Sequence, residues 1–151
     1  GMIHPDMATM LGFLVTDAKL PALADSLLRD IAEATFHCAT VDGDTSPNDS
    51  LFLLASESRE RPADELRGAL LDAGRQLARQ LAADGEGASR LVTVEVRGAP
   101  DAATARHVAR TIATSPLVKT AVAGRDPNWG RILSAAGRAG VTFAPERARV
   151  W

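Results

Sequence analysis

The sequence predicts an α/β protein, a layered α+β sandwich, on the basis of three observations. Segments with apolar residues at helical spacing alternate along the chain with short apolar runs and one segment of strict apolar/polar alternation. Clusters of turn-forming residues separate these segments, and no internal repeat is visible. The 151 residues are enough for one domain with a hydrophobic core, so we expect residues 1–151 to form a single domain of at least two layers.

The first half of the chain predicts two strands and two helices. Residues 11–15 form an apolar run typical of a buried strand, and residues 51–55 form a second one. Pro21 suits the first position of a helix that runs to about Phe36. Residues 57–61 are predicted to be a charged loop. A second helix begins near Pro62, with acids in its first turn, and ends at the glycines of residues 84–87.

The second half predicts shorter elements. Residues 91–97 alternate valines with polar residues, as in a strand with one buried face. Asp101 caps a third helix that Ser115 and Pro116 end, and residues 117–122 form an apolar run interpreted as a strand. A turn over residues 126–130 leads into a short fourth helix. The last prediction is a hairpin of two strands, residues 141–143 and 147–151.

Composition excludes several classes of function. A net charge of -2 argues against a nucleic-acid interface, and no segment has the length of a membrane span. There is no pattern of a secretory signal, and the single cysteine, Cys38, excludes an internal disulfide, which fits the cytoplasm. The three histidines lack partners at ligand spacing, and the acidic residues 42–49 lack the spacing of an EF-hand. We therefore expect no metal site.

Thr9 stands at the entrance of the first predicted strand, after the small residue Ala8. A threonine hydroxyl is a weak nucleophile unless a nearby base activates it. Cleavage of the preceding peptide bond would supply that base as the α-amine of Thr9 itself. On the local pattern alone, an ordinary threonine before a buried strand is the better interpretation.

Two further positions could contact a ligand. Glu86 lies between two glycines, where its carboxylate could meet an amine, although a solvated acid in a helix-ending loop fits the same residues. Asn128 precedes the fourth helix, whose N-terminus could face an anion. The alternative is that Asn128 caps the helix and Trp129 lies in the core.

Five blocks together resemble the ornithine acetyltransferase (glutamate N-acetyltransferase) family in order and spacing. They cover nearly the whole chain and read GMIHPDMATML (residues 1–11), VDGDTSPND (41–49), DGEGA (84–88), SPLVKTA (115–121) and DPNWGRI (126–132).

The resemblance implies an activity and its residues. Family members cut themselves between the residues that match Ala8 and Thr9, and the matching threonine becomes the nucleophile. It carries acetyl from N-acetylornithine to glutamate in arginine biosynthesis, and some members also use acetyl-CoA as donor. The residue that matches Glu86 binds the amino-acid end of the substrate by charge pairing. No cofactor is implied. The implied fold is the layered, self-processing N-terminal-nucleophile-like architecture shared with related aminopeptidases.

The resemblance also implies partners. Residues 1–8 would be the end of an α chain and residues 9–151 part of a β chain, in a heterotetramer of two α and two β chains. Relatives supply oxyanion donors and further substrate-binding residues from segments outside the matched region, so we expect this chain alone to have little or no transferase activity. A self-processing aminopeptidase- or amidase-type hydrolase and a non-catalytic fragment are the alternatives.

Overall fold

The structure, a computed structural model, describes residues 10–45 and 47–151. The chain divides into two compact units, a first unit up to Ala88 and a second unit from Ser89. Each has its own hydrophobic core. The expectation of one domain over residues 1–151 stays a prediction, as does its division at Thr9.

The first unit is a small parallel sheet with two helices on one face. Its elements are β1 (Leu11–Ala18), α1 (Ala24–Ala34), a 3₁₀ turn (Phe36–Cys38), β2 (Ser50–Arg59) and α2 (Ala63–Ala83). β1 and β2 pair in parallel, with Leu11 opposite Ser50 and Thr16 opposite Ala55. A parallel pair needs a crossover between its strands, and α1 lies in that connection.

The two faces of the sheet differ. Leu14 and Ala18 of β1 point into a core that contains the fully buried Ile31 of α1, with Leu66 and Leu70 of α2. Side chains on the opposite face are apolar yet exposed, and Phe13 and Phe52 stack there with ring centroids 5.2 Å apart.

The strand and helix predictions for this unit are confirmed, with two corrections. α1 begins at Ala24 rather than at Pro21. β2 continues through Glu57 to Arg59, where a charged loop was expected. β1 advances by two residues, from Thr16 to Ala18, while β2 advances by four, from Ala55 to Arg59. Glu57 takes a left-handed φ of 54° within this irregular stretch, and pairing then resumes.

The second unit is a cluster of helices: α3 (Ala102–Ala113), α4 (Pro116–Ala123), α5 (Trp129–Gly137) and a 3₁₀ turn (Pro145–Arg147). Its core contains small and β-branched side chains from the three helices, with one more from the turn after α5: Val108, Ile112, Val118, Ala135, Ala136 and Ala139. Asp101 caps α3 as predicted, since its carboxylate accepts the Thr104 N–H at 2.7 Å. This hydrogen bond holds the pKa of the Asp101 carboxyl below its usual value.

Three strand predictions for this unit are wrong. Residues 117–122 lie in α4, because Ser115 is the helix N-cap and Pro116 its first residue. Residues 91–97 are not in a paired strand, and the only sheet within the described residues is β1–β2. Residues 141–143 and 147–151 likewise form no hairpin. The buried face predicted from the alternation of residues 91–97 is confirmed for Val94 and Val96, which pack against the core, but not for Val92, which is 50% exposed.

Candidate functional site

The predicted nucleophile and its cleavage partner, Thr9 and Ala8, lie outside the described residues. The first described residue after them is Met10, which is covalently joined to Thr9. The described part of the candidate site in the first unit consists of Met10, the loop that precedes β2 and the turn that carries Glu86.

Met10 is held at three points. Its N–H donates to Asp49 Oδ1 at 2.6 Å, and its carbonyl accepts the Ser50 N–H at 2.8 Å. Its side chain packs against a buried cluster that includes Phe36 and Ala78. The chain is thus fixed in position directly after Thr9.

The acidic loop before β2 is shaped by turns. The Asp44 N–H donates to Asp42 Oδ1 at 2.9 Å, and Gly43 takes a left-handed φ of 82°. This is the side-chain-to-backbone geometry of an Asx turn, which explains aspartates in a loop without a ligand. Within residues 10–45 and 47–151, no group of three or more His, Cys, Asp or Glu side chains is arranged to hold a metal ion.

Glu86 is exposed at the tip of a tight turn that follows α2. The turn closes with a hydrogen bond from the Ala88 N–H to the Gly85 carbonyl at 2.8 Å, and Gly87 takes a left-handed φ of 72°. The buried Gly85 packs so closely on Val41 that a Cβ added there would lie 2.6 Å from Val41 Cγ1. The acidic loop before β2 therefore contacts both parts of the candidate site. Its Val41 packs on the turn that carries Glu86, and its Asp49 accepts the hydrogen bond from Met10.

Asn128, in the second unit, is a helix cap. Its side-chain oxygen accepts the Arg131 N–H at 3.2 Å, and its Nδ2 donates to Asp126 at 3.0 Å. The Arg131 guanidinium donates to the Leu117 carbonyl and to Thr120 Oγ1, which ties α5 to α4. The capping interpretation is confirmed, but the placement of Trp129 in the core is wrong, since 65% of its surface is exposed.

Sequence reasoning missed the role of Asp49, which it treated as one of several turn formers. The sequence alone carries no signal for this role, because it depends on the pairing of the strands. Asp49 directly precedes β2, and parallel pairing of β2 with β1 brings that position close to Met10 at the start of β1. Length and hydropathy also exclude a membrane-crossing helix anywhere in the described part of the chain.

The chain is similar to proteins of one family. The model of the ArgJ family matches residues 1–151. The "Arginine biosynthesis bifunctional protein ArgJ" of Synechocystis sp. is 55% identical over 152 residues, which cover 95% of this chain and 37% of the relative. The protein of the same name from Dehalococcoides mccartyi is 51% identical, with 95% of this chain and 38% of the relative covered. The chain thus spans less than two fifths of the length of these relatives.

A solved structure shares the fold. The crystal structure of the arginine biosynthesis bifunctional protein argJ from Bacillus halodurans superposes with a TM-score of 0.84 at 42% identity, and the match covers 90% of this chain and 68% of that one. Together with the helices and the parallel sheet described above, this confirms the α/β layered class.

Proposed function

The chain belongs to the ArgJ family, and on that premise we propose that it carries the nucleophile of a glutamate N-acetyltransferase, with Thr9 as the acetyl-accepting residue. The observation that carries the proposal is the family match over residues 1–151, which includes Ala8 and Thr9. The anchoring of Met10 supports it, because a nucleophile has to be held by a rigid element to react efficiently.

The first step in this proposal is self-cleavage. The Thr9 hydroxyl attacks the carbonyl carbon of Ala8 and its proton passes to the departing nitrogen. The C–N bond breaks, which frees the α-amine of Thr9, and an ester joins Ala8 to the Thr9 oxygen. Water then hydrolyses the ester, which leaves the Ala8 carboxylate and restores the Thr9 hydroxyl. The freed amine, with an ordinary pKa of roughly 7.7–8.0, is suited to accept the hydroxyl proton near neutral pH.

The second step is acetyl transfer. Thr9 Oγ attacks the acetyl carbonyl of N-acetylornithine, and the departing amine of ornithine takes the proton held by the Thr9 α-amine. The amine of glutamate attacks the acetyl-threonine ester in turn, which gives N-acetylglutamate and restores the threonine. Acetyl-CoA could donate the acetyl group to the same hydroxyl, with its thiol as the leaving group.

Glu86 is proposed to bind the amino-acid end of the substrate, where its carboxylate pairs with the α-ammonium group of the entering glutamate. N-acetylornithine has no such group, because its α-nitrogen carries the acetyl. Its carboxylate is exposed, and the turn that carries it is fixed by the contact of Gly85 with Val41. A carboxylate held in this way gives a charge-assisted hydrogen bond to an ammonium group. Glu86 is therefore proposed to set the affinity for substrate rather than to take part in the chemistry.

Full activity is proposed to need segments that this chain does not include, because it covers only 37% of the Synechocystis relative. Loss of one oxyanion donor alone lowers the rate by about 10²–10³. The partners are proposed to be the remaining α and β segments, in a heterotetramer of two α and two β chains located in the cytoplasm.

The test uses a hybrid polypeptide, in which this chain replaces the matching 37% of the Synechocystis relative. We expect the hybrid, supplied with N-acetylornithine, to form N-acetylglutamate in large excess over free acetate when glutamate and water compete as acceptors. Thr9→Ala should abolish this transfer, and Thr9→Ser should retain part of it. Acetate as the main product would favour the hydrolase alternative, and full activity of Thr9→Ala would contradict the role of Thr9.

A second comparison separates binding from chemistry. Glu86→Gln removes the charge that would pair with the ammonium group of glutamate. We therefore expect KM for glutamate to rise about tenfold or more, with a smaller change in kcat. Asp72→Asn on the exposed surface of α2 is the matched control and should leave both constants unchanged. An unchanged KM in Glu86→Gln would contradict the assignment.

A further inference from the structure

We propose that Asp49 is a positioning residue for Thr9, and that its carboxylate fixes the peptide group that joins the nucleophile to β1. The proposal rests on the assignment of Thr9 as nucleophile made above. Asp49 lies in one of the sequence blocks, but neither the motif nor the resemblance gave it a role in the chemistry.

The hydrogen bond lies where the sheet ladder ends. The first paired residues are Leu11 and Ser50, and the Ser50 N–H donates to the Met10 carbonyl at 2.8 Å. The next donor toward Thr9 is the Met10 N–H, and its acceptor is a side chain, Asp49 Oδ1, at 2.6 Å. A carboxylate therefore continues the pairing by one more hydrogen bond on the side that leads to Thr9.

This hydrogen bond orients a whole peptide group. The Met10 N–H lies in one plane with the carbonyl and the Cα of Thr9, because the peptide bond is planar. The ladder and the buried cluster already hold Met10 itself. Once the direction of the Met10 N–H is also fixed, the planar peptide bond constrains the position of the Thr9 Cα relative to β1.

The chemistry of the acceptor suits this role. Hydrogen bonds to an ionised carboxylate are shorter and roughly twice as strong as those between neutral groups. Asp49 is partly buried beside the start of β1, and it is separated from Met10 by 39 positions in sequence. It therefore joins two segments that have to be in register before Thr9 can be correctly placed.

The test compares three variants of the Synechocystis hybrid. Asp49→Ala removes the acceptor, and Asp49→Asn keeps an oxygen acceptor of the same reach without the charge. Asp101→Ala is the matched control, because Asp101 also accepts a backbone N–H, at 2.7 Å, but at the start of α3 in the second unit. The measurements are the rate of cleavage between Ala8 and Thr9 by intact mass after pulse labelling, and kcat and KM of the matured protein.

We expect Asp49→Ala to slow cleavage and to lower kcat by about tenfold or more, with KM within about twofold, because small displacements of a reacting group can cost about 10²-fold in rate. Asp49→Asn should recover most of both rates. Asp101→Ala should leave the rates within about twofold even if it lowers the melting temperature as much as Asp49→Ala. That difference separates positioning from a general loss of stability.

Two outcomes would overturn the proposal, and they are distinguishable. Cleavage and turnover of Asp49→Ala at the unsubstituted rate, in a hybrid that is acetylated on Thr9, would contradict the role of Asp49 alone. An unsubstituted hybrid that is never acetylated on Thr9 would contradict the proposed function and this role together. If Asp49→Ala does not fold, the decision falls to Asp49→Glu, which keeps the charge but moves the acceptor by one methylene. Slower cleavage and a lower kcat at an unchanged melting temperature would support positioning, and rates equal to those of the unsubstituted hybrid would contradict it.

Discussion

Adding one methyl group at Gly85 should destabilise the turn that carries Glu86. A Cβ at this position would lie 2.6 Å from Val41 Cγ1 and 3.0 Å from Cγ2, whereas carbon atoms in good contact are about 3.5–4.0 Å apart. Valine is branched at Cβ and stiff about χ1, so it cannot easily move both methyl groups away.

The magnitude follows from two opposing effects. Overpacking of this kind typically costs about 1–3 kcal/mol. Replacement of glycine by alanine lowers the conformational entropy of the unfolded chain, which stabilises the folded protein by about 0.4–1 kcal/mol. We therefore expect Gly85→Ala to lower the free energy of unfolding by about 1–2 kcal/mol. In the hybrid it should also raise KM for glutamate, because Glu86 is displaced.

A double-mutant cycle with Val41→Ala isolates the contact. Val41→Ala removes both methyl groups that a Cβ at position 85 would meet, so Gly85→Ala should stabilise the protein by about 0.4–1 kcal/mol in that background, with a coupling energy of about 1–3 kcal/mol. Gly87→Ala is the control. Its φ of 72° makes alanine strained there whatever residue occupies position 41, so its cost should not change between the two backgrounds.

Urea unfolding of the 151-residue chain provides the measurement. Circular dichroism is the suitable probe, because both tryptophans, Trp129 and Trp151, lie in the second unit and would not follow the first. The m-value should stay constant across the variants, so that changes in midpoint report stability. An equal cost of Gly85→Ala in both backgrounds would refute the explanation by the Val41 contact.

Further predictions concern α2 and α3. Gly68→Ala should raise the free energy of unfolding by up to about 1 kcal/mol, because a Cβ there meets nothing within 4 Å and alanine favours a helix. Gly74→Ala on the same helix should instead be destabilising, since its Cβ would lie 3.0 Å from the hydroxyl oxygen of the buried Thr35; equal midpoints of the two variants in urea would contradict this. The Thr104 N–H lowers the pKa of Asp101, so this carboxylate stabilises the fold above its unfolded pKa of about 3.9, and the contribution is lost as pH falls through the lower folded pKa. Asp101→Asn should therefore reduce the loss of stability on acidification in melting curves recorded between pH 6 and pH 2, and an unchanged slope would contradict the sign.

Long periodic segments could be predicted from the sequence, whereas short apolar runs could not. The apolar stripe of α2 extends over several turns and its bounds came out nearly as expected. The apolar run of residues 117–122 is only six residues long, and at this length periodicity does not distinguish a buried strand from a buried helix. The deciding signal was the pair Ser115–Pro116, which is typical of a helix start as well as of a helix end.

The sequence also did not predict which segments pair as strands. Alternation in residues 91–97 correctly indicated the inward side of Val94 and Val96, but a strand also needs a partner, and a sequence pattern names none. The same limit hid Asp49, whose contact with Met10 depends on the register of β1 against β2. Glu86 was predictable from its glycines as a turn residue, because Gly87 needs a left-handed backbone.

The role of Thr9 as nucleophile is tested most directly by the mass of the peptide that begins at Thr9, recovered from the hybrid after brief exposure to N-acetylornithine without glutamate. We expect a peptide with a free α-amine that carries one acetyl group on the Thr9 hydroxyl. This acetyl group should be labile to hydroxylamine and lost when glutamate is added. A peptide still joined to Ala8, or one that never carries acetyl while transfer proceeds, would contradict this role.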